Sequence, residues 1–262
     1  MGKQAFTLIE ALISLLVLGI VLTVATSFLG SNQRVVANNL VNSQVGDDLK
    51  LAQLRLSELV SQAAYIYPVG VNIVLPGGTT LSTGSSLLAF LVPWESPYCR
   101  DTNANNRAFY CAFIYRLEPR SAYSSLLGPR KYVSPSQGAA SEWVLVERRY
   151  RWLDWSTPGA PATNWASLTQ NPATPSVIAD SVVAAKTNLA NGMSVSRSAS
   201  PFDRNLVYDT GGGTVGVNNP LALIAKVEPL LVVAGVNGKE AARREVVVPR
   251  SLPRVAAPGT GP

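Results

Sequence analysis

The chain contains no histidine and only two cysteines in 262 residues. Lack of histidine removes the commonest general base and the commonest metal ligand together, so catalytic readings start from a poor position. Serine is plentiful, but neither a Ser-x-x-Lys nor a Gly-x-Ser-x-Gly string occurs, and no serine is nominated as a nucleophile. Gly211-Gly212-Gly213-Thr214-Val215-Gly216 lacks the Lys-Ser or Lys-Thr that a phosphate loop requires, and reads as a turn. Charge is also scarce: 22 basic against 16 acidic residues give a net +6, mildly basic and well short of a nucleic-acid signature. No proline stands before Pro68, and the membrane-proximal helix has only Gly19 and Gly30 as soft points.

What is present is concentrated at the start. The nineteen residues from Ala11 to Leu29 carry no charge, and Glu10 stands at their mouth. From Phe6 to Leu29 there are 24 residues, against roughly 20 needed to cross a bilayer as a helix. A carboxylate beside such a run is costly in lipid, roughly 2.5–3.5 kcal/mol at a helix centre and less near the interface, and so asks for a partner. The plainer alternatives are an interfacial carboxylate of an ordinary signal anchor, and a secretory signal cut near Ala25-Thr26-Ser27. Beyond the run, Val41, Val45, Leu49, Ala52, Leu56, Leu59, Ala63 and Ile66 recur at three- and four-residue steps, which predicts an amphipathic continuation of the helix over residues 31–67, stopped by Pro68. Asp47 with Lys50 and Arg55 with Glu58 are spaced as solvated pairs on its polar flanks.

After Pro68 the period changes to short branched and aromatic runs separated by Gly, Pro, Ser and Asn, which predicts a β-rich head over 68–248. Strands are expected at Val71–Leu75, Leu87–Val92, Ala108–Leu117, Glu142–Leu153, Leu221–Val227, Leu230–Val233 and Glu245–Val248. Ser156–Ser176 and Asn191–Pro220 read as long surface excursions with little to give a core. The tail, 249–262, holds four prolines and no apolar period and reads as disordered. The expected class is α+β, a long helix packed on an antiparallel β-rich head.

The string Ala5-Phe6-Thr7-Leu8-Ile9-Glu10, behind the leader Met1-Gly2-Lys3-Gln4, resembles the processing site of type IV pilins and of the pseudopilins of type II secretion. That resemblance covers about the first thirty residues. It implies a leader of residues 1–5, cleavage by a prepilin peptidase between Ala5 and Phe6, and N-methylation of Phe6. Residues 6–30 would then form the membrane and filament-core segment. Ala5 replaces the usual Gly before the cut. Glu10, fifth after the cut, falls where the family's carboxylate neutralises the terminal amine of a neighbouring subunit. The implied partners are other pilin or pseudopilin subunits, the peptidase, an inner-membrane assembly platform and the inner membrane itself. Lys3 and the amino terminus mark the cytoplasmic side, leaving the head in the periplasm.

In that oxidising compartment Cys99 and Cys111 are expected to pair, closing a loop that contributes about 3 kcal/mol in the chain-entropy model; two buried free thiols are the alternative. Asp101, Asn103 and Asn105 begin like a calcium loop, but Asn106 replaces the usual Gly and Ala112 the closing Glu, so a polar turn is the better reading and no cofactor is expected. Arg148, Tyr150, Arg151 and Trp152 mix basic and aromatic side chains that could hold DNA. Strand alternation puts Arg148, Tyr150 and Trp152 on one face, Arg149 and Arg151 on the other, and a structural strand is the plainer account. The expectation is a non-enzymatic minor pilin, with a pseudopilin, a DNA-uptake receptor and a membrane-tethered enzyme as competing readings.

Overall fold

The computed structural model describes residues 8–99, 109–128, 143–155, 160–197, 222–235 and 239–249. The chain divides into two compact units, Met1–Gln44 and Val45–Pro262. A single helix, α1 (Leu8–Ser61), begins in the first and ends in the second. The antiparallel head contains β1 (Tyr65–Ile66), β2 (Asn72–Val74), β3 (Thr80–Ser82), β4 (Leu87–Pro93), β5 (Phe109–Pro119), a 3-10 turn (Arg120–Tyr123) and α2 (Ser124–Leu127). It continues through β6 (Trp143–Asp154), β7 (Thr169–Gln170), β8 (Ser176–Val182), β9 (Ser194–Arg197), β10 (Ala222–Lys226), β11 (Leu230–Ala234) and β12 (Glu240–Arg244). Among the described residues these form a curled eight-stranded sheet in the order β1-β4-β5-β6-β8-β11-β12, with β7 on β6, and two separate pairs, β9-β10 and β2-β3. Gly77 and Gly78 link β2 to β3 with φ of 86° and 81°, the left-handed region a side chain would resist.

Among the described residues, the two largest cores lie on the two faces of this sheet. On one, Val45, Leu49, Ala52, Leu56 and Leu59 of α1 pack with Phe90, Phe113, Tyr115, Leu145 and Val233. These are the positions the three- and four-residue steps picked out, and the reason is the usual one: an apolar stripe must be covered. The other core is aromatic. Tyr65, Tyr67, Tyr110, Tyr150, Trp155 and Trp165 gather there, with edge-on ring pairs such as Tyr67 and Trp165 at 5.6 Å.

The helix stops at Ser61, not at Tyr67. Gln62 and Ala63 donate to the carbonyls three residues back, and Ala64 and Tyr67 then donate to Leu91 and Ala89 of β4. Tyr65 and Ile66 pair with Leu91 and Phe90. An aromatic and branched triplet beside Pro68 gains more from a sheet edge than from a last helical turn. The strand expected at Glu245–Val248 is absent; Val247 makes one bridge to Val227, and the edge strand is Glu240–Arg244. Charged side chains are a known protection of such an edge. β8 has no counterpart among the expected strands. Within the expected excursion at 156–176, Trp165 is fully buried, with its backbone N–H donating to Val74 and its indole to Ala162. That segment therefore closes a core. Residues 250–262 lie outside the described residues.

Candidate functional site

From Leu8 to Gln44, α1 leaves its apolar side chains in the open. Leu8 is 81% exposed, Leu16 64%, Val24 63% and Phe28 63%. The helix holds an eighteen-residue window of mean hydropathy 2.6, none of it buried. A helix is one of only two backbone forms that satisfy all their own polar groups in lipid. Two threonine hydroxyls comply: Thr23 donates to Gly19 at 2.8 Å and Thr26 to Thr23 at 3.0 Å, so neither requires water. Glu10 occupies the first turn, where a negative charge is favoured by the helix dipole. Ala5 and Phe6 fall outside the described residues. An apolar, internally satisfied helix with a carboxylate at its entry is suited to a membrane or to a bundle of like helices.

Residues 1–26 match the family model described as the prokaryotic N-terminal methylation motif. The chain carries a prepilin-type start. With the long apolar helix, this is consistent with a type IV pilin-like protein, and the motif supports a type IV pilin or pseudopilin family. It also supports membrane anchoring, and it implies processing and assembly with other pilin subunits in general. The match covers 26 of 262 residues, so the head is read from its own geometry. No curated protein and no solved structure gives a significant match to the chain. Pilin-like motif and fold together suggest a structural, non-enzymatic protein.

Cys99 and Cys111 form a disulfide, both fully buried beside the α1 core. The calcium-loop candidates Asp101, Asn103 and Asn105 lie outside the described residues. The basic and aromatic strand β6 is divided, though not as simple alternation suggests. Arg148 donates from Nε and Nη2 to Glu118 at 3.1 and 3.0 Å, and from Nη1 to Gln170 at 3.3 Å. Tyr150 is buried in the aromatic core. Trp152 instead packs against the α1 core and stacks on Phe109, with the Arg151 guanidinium 5.2 Å from its ring. The cause is a register shift: Ala112 pairs with Tyr150 but Tyr110 with Leu153, so β6 uses one residue more than β5 and Trp152 changes face. The four DNA candidates therefore do not share a surface.

Residues not expected to matter do. Arg55 does not pair locally with Glu58; its Nη2 lies 3.1 Å from Glu147, while Tyr115 donates to the same carboxylate at 2.7 Å. The Arg55 guanidinium also covers the Tyr98 ring at 4.4 Å, and Arg149 donates to the Tyr98 carbonyl. Burial pushes the Tyr115 hydroxyl well above its ordinary value, and the charge and hydrogen bond of Glu147 add to this. Burial opposes charge on Arg55, but Glu147 outweighs it and the net direction is upward. On the opposite side, Arg120 grips Asp180 with Nε to Oδ1 at 2.8 Å. Within the head, the first pair joins α1 to β6 and the second joins the 3-10 turn to β8. The only sequence signal for them was the charge itself, since Arg55 and Glu147 stand 92 residues apart.

Proposed function

We propose that the chain is a minor pilin subunit of a type IV pilus, acting in assembly and priming. The observation that carries this reading is the exposed, uncharged helix headed by Glu10. After removal of residues 1–5, the helix waits in the inner membrane with the head in the periplasm. It then moves into a filament core built of the same segments from other subunits. Both surroundings exclude water, so little hydrophobic free energy changes on transfer, and direction comes from an ATP-driven machine. Glu10 supplies specificity: its carboxylate pairs with the methylated amine of a neighbour's Phe6, an attraction strong enough to offset desolvation only at close range. A minor pseudopilin of a type II secretion system uses the same parts, and recovery of the protein in sheared surface filaments separates the pilus from it.

Glu10→Ala tests the mechanism. The variant is expected to be processed and membrane-inserted, since insertion becomes easier without the carboxylate, yet to be depleted from sheared filaments. Glu10→Gln should behave like Glu10→Ala and Glu10→Asp should be intermediate. Incorporation of all three at the wild-type level would count against the role.

A further inference from the structure

Arg34 is the only charged residue between Glu10 and Asp47. Without it, the uncharged stretch would run from Ala11 to Gly46, 36 residues, or roughly 54 Å at about 1.5 Å per residue. That is far longer than the roughly 30 Å hydrocarbon core, so the helix could slide along its own axis with no charge to stop it. Apolarity alone does not mark the exit, because Val35, Val36 and Leu40 follow and are exposed on α1. Arg34 does. The 24 steps from Glu10 to Arg34 rise roughly 36 Å, just clearing the core while staying inside the roughly 40–45 Å that includes both headgroup layers. Tilted by about 20°, the same segment still spans about 34 Å.

We propose that Arg34, with the exposed Ser31, Asn32 and Gln33 beside it, binds lipid phosphate on the membrane face away from the amino terminus and thereby sets how deep α1 sits. The inference rests on the membrane-held state of the proposed function. The chemistry fits: a guanidinium offers a rigid fork of N–H donors to phosphate oxygens, and the hydroxyl and amides of the preceding turn add neutral donors at the same level. The effect on function is positional. With Arg34 held at one headgroup layer, Glu10 is held at the other, at a fixed height for an incoming amine, and the phosphate contact must be released before the subunit leaves the bilayer.

The test uses the full leader-processed chain, with its arginine guanidino carbons isotopically labelled. The chain is placed in vesicles of phosphatidylethanolamine and phosphatidylglycerol, in buffer free of inorganic phosphate. Solid-state dephasing of those carbons by lipid phosphorus is compared between wild type and Arg34→Gln, after resistance to alkaline extraction has been measured for both. Arg34 is one of 16 arginines, and the other fifteen are common to both samples. The expected result is a rapidly dephasing component of about one sixteenth of the wild-type signal that is lost in Arg34→Gln. Equal dephasing in two alkali-resistant samples overturns the inference and leaves the membrane anchor standing. Extraction of wild type by alkali removes the anchor reading and this inference with it.

Discussion

Up to Leu40, α1 shows its leucines, isoleucines and valines to the surroundings; from Val45 to Val60 it buries one stripe of them, Val45, Leu49, Leu56, Leu59 and Val60, within the head and leaves Leu51 and Leu54 exposed on the other side. The amino acids are of the same kind and the helix is the same element. What differs is the source of the apolar surroundings, since the later part finds them within the head and the earlier part must find them in lipid or in other chains. The polar groups follow the same division. Thr23 and Thr26 turn back onto their own helix, whereas Gln53, Arg55 and Ser57 reach Pro229, Glu147 and Glu245 far along the sequence. One half of the helix is thus written for a host, the other for a fold.

The comparison can be broken by mutating one side and measuring both. Phe113→Ala has the largest expected effect, because Phe113 is 1% exposed and stacked on Phe90 at 5.6 Å. The loss is about 3–5 kcal/mol of head stability. Thermal unfolding should show it while alkaline resistance of the membrane-held chain stays unchanged. Val21→Lys should do the reverse, costing about 2.5–3.5 kcal/mol of insertion with the unfolding temperature of the head unaltered. A variant of either kind that moved both readouts would blur the division.

The smallest effect concerns pH. Burial pushes the Glu118 carboxyl up, but hydrogen bonds from Arg148 and Tyr123 and the charges of Arg148 and Arg116 outweigh it, so the group ends below its ordinary 4.5. A carboxyl lowered in the folded state contributes stability that is fully present above its unfolded value and is lost as pH falls through the folded one. Head stability should therefore decline from about pH 4.5 downward, and Glu118→Gln should flatten that decline. Insertion of the apolar helix should show no matching dependence on Glu118. Unfolding of the two proteins across an acid series reads the difference.

How legible each region was follows from where its determinants lie. The membrane segment is local: a run of uncharged residues and one carboxylate state its chemistry without reference to anything distant. The strands at Leu87–Pro93, Phe109–Pro119 and Trp143–Asp154 were legible for a similar reason, being long branched and aromatic runs. The end of α1 was not, because the stop at Ser61 is made by the edge of β4 and not by a local breaker. Arg55 looked like a partner for Glu58, three residues on, since nothing in the string announces Glu147. Trp165 sits among Pro, Asn and Ser and looked like loop, yet it closes the aromatic core. β8, with Ala179, Asp180 and Ser181 in its run, lacks strand composition and is held by its neighbours. Trp152 changed faces because one extra residue in β6 defeats simple alternation.

The central claim is that this chain is made as a prepilin and used as a membrane-held filament subunit, and the mature N-terminus tests it most directly. Intact-protein and peptide mass spectrometry of the membrane fraction should find a chain that begins at Phe6, lacks Met1–Ala5 and carries one methyl group on its amine. A mature chain beginning at Phe28, or one that retains Met1 with an unmodified Phe6, would contradict the account.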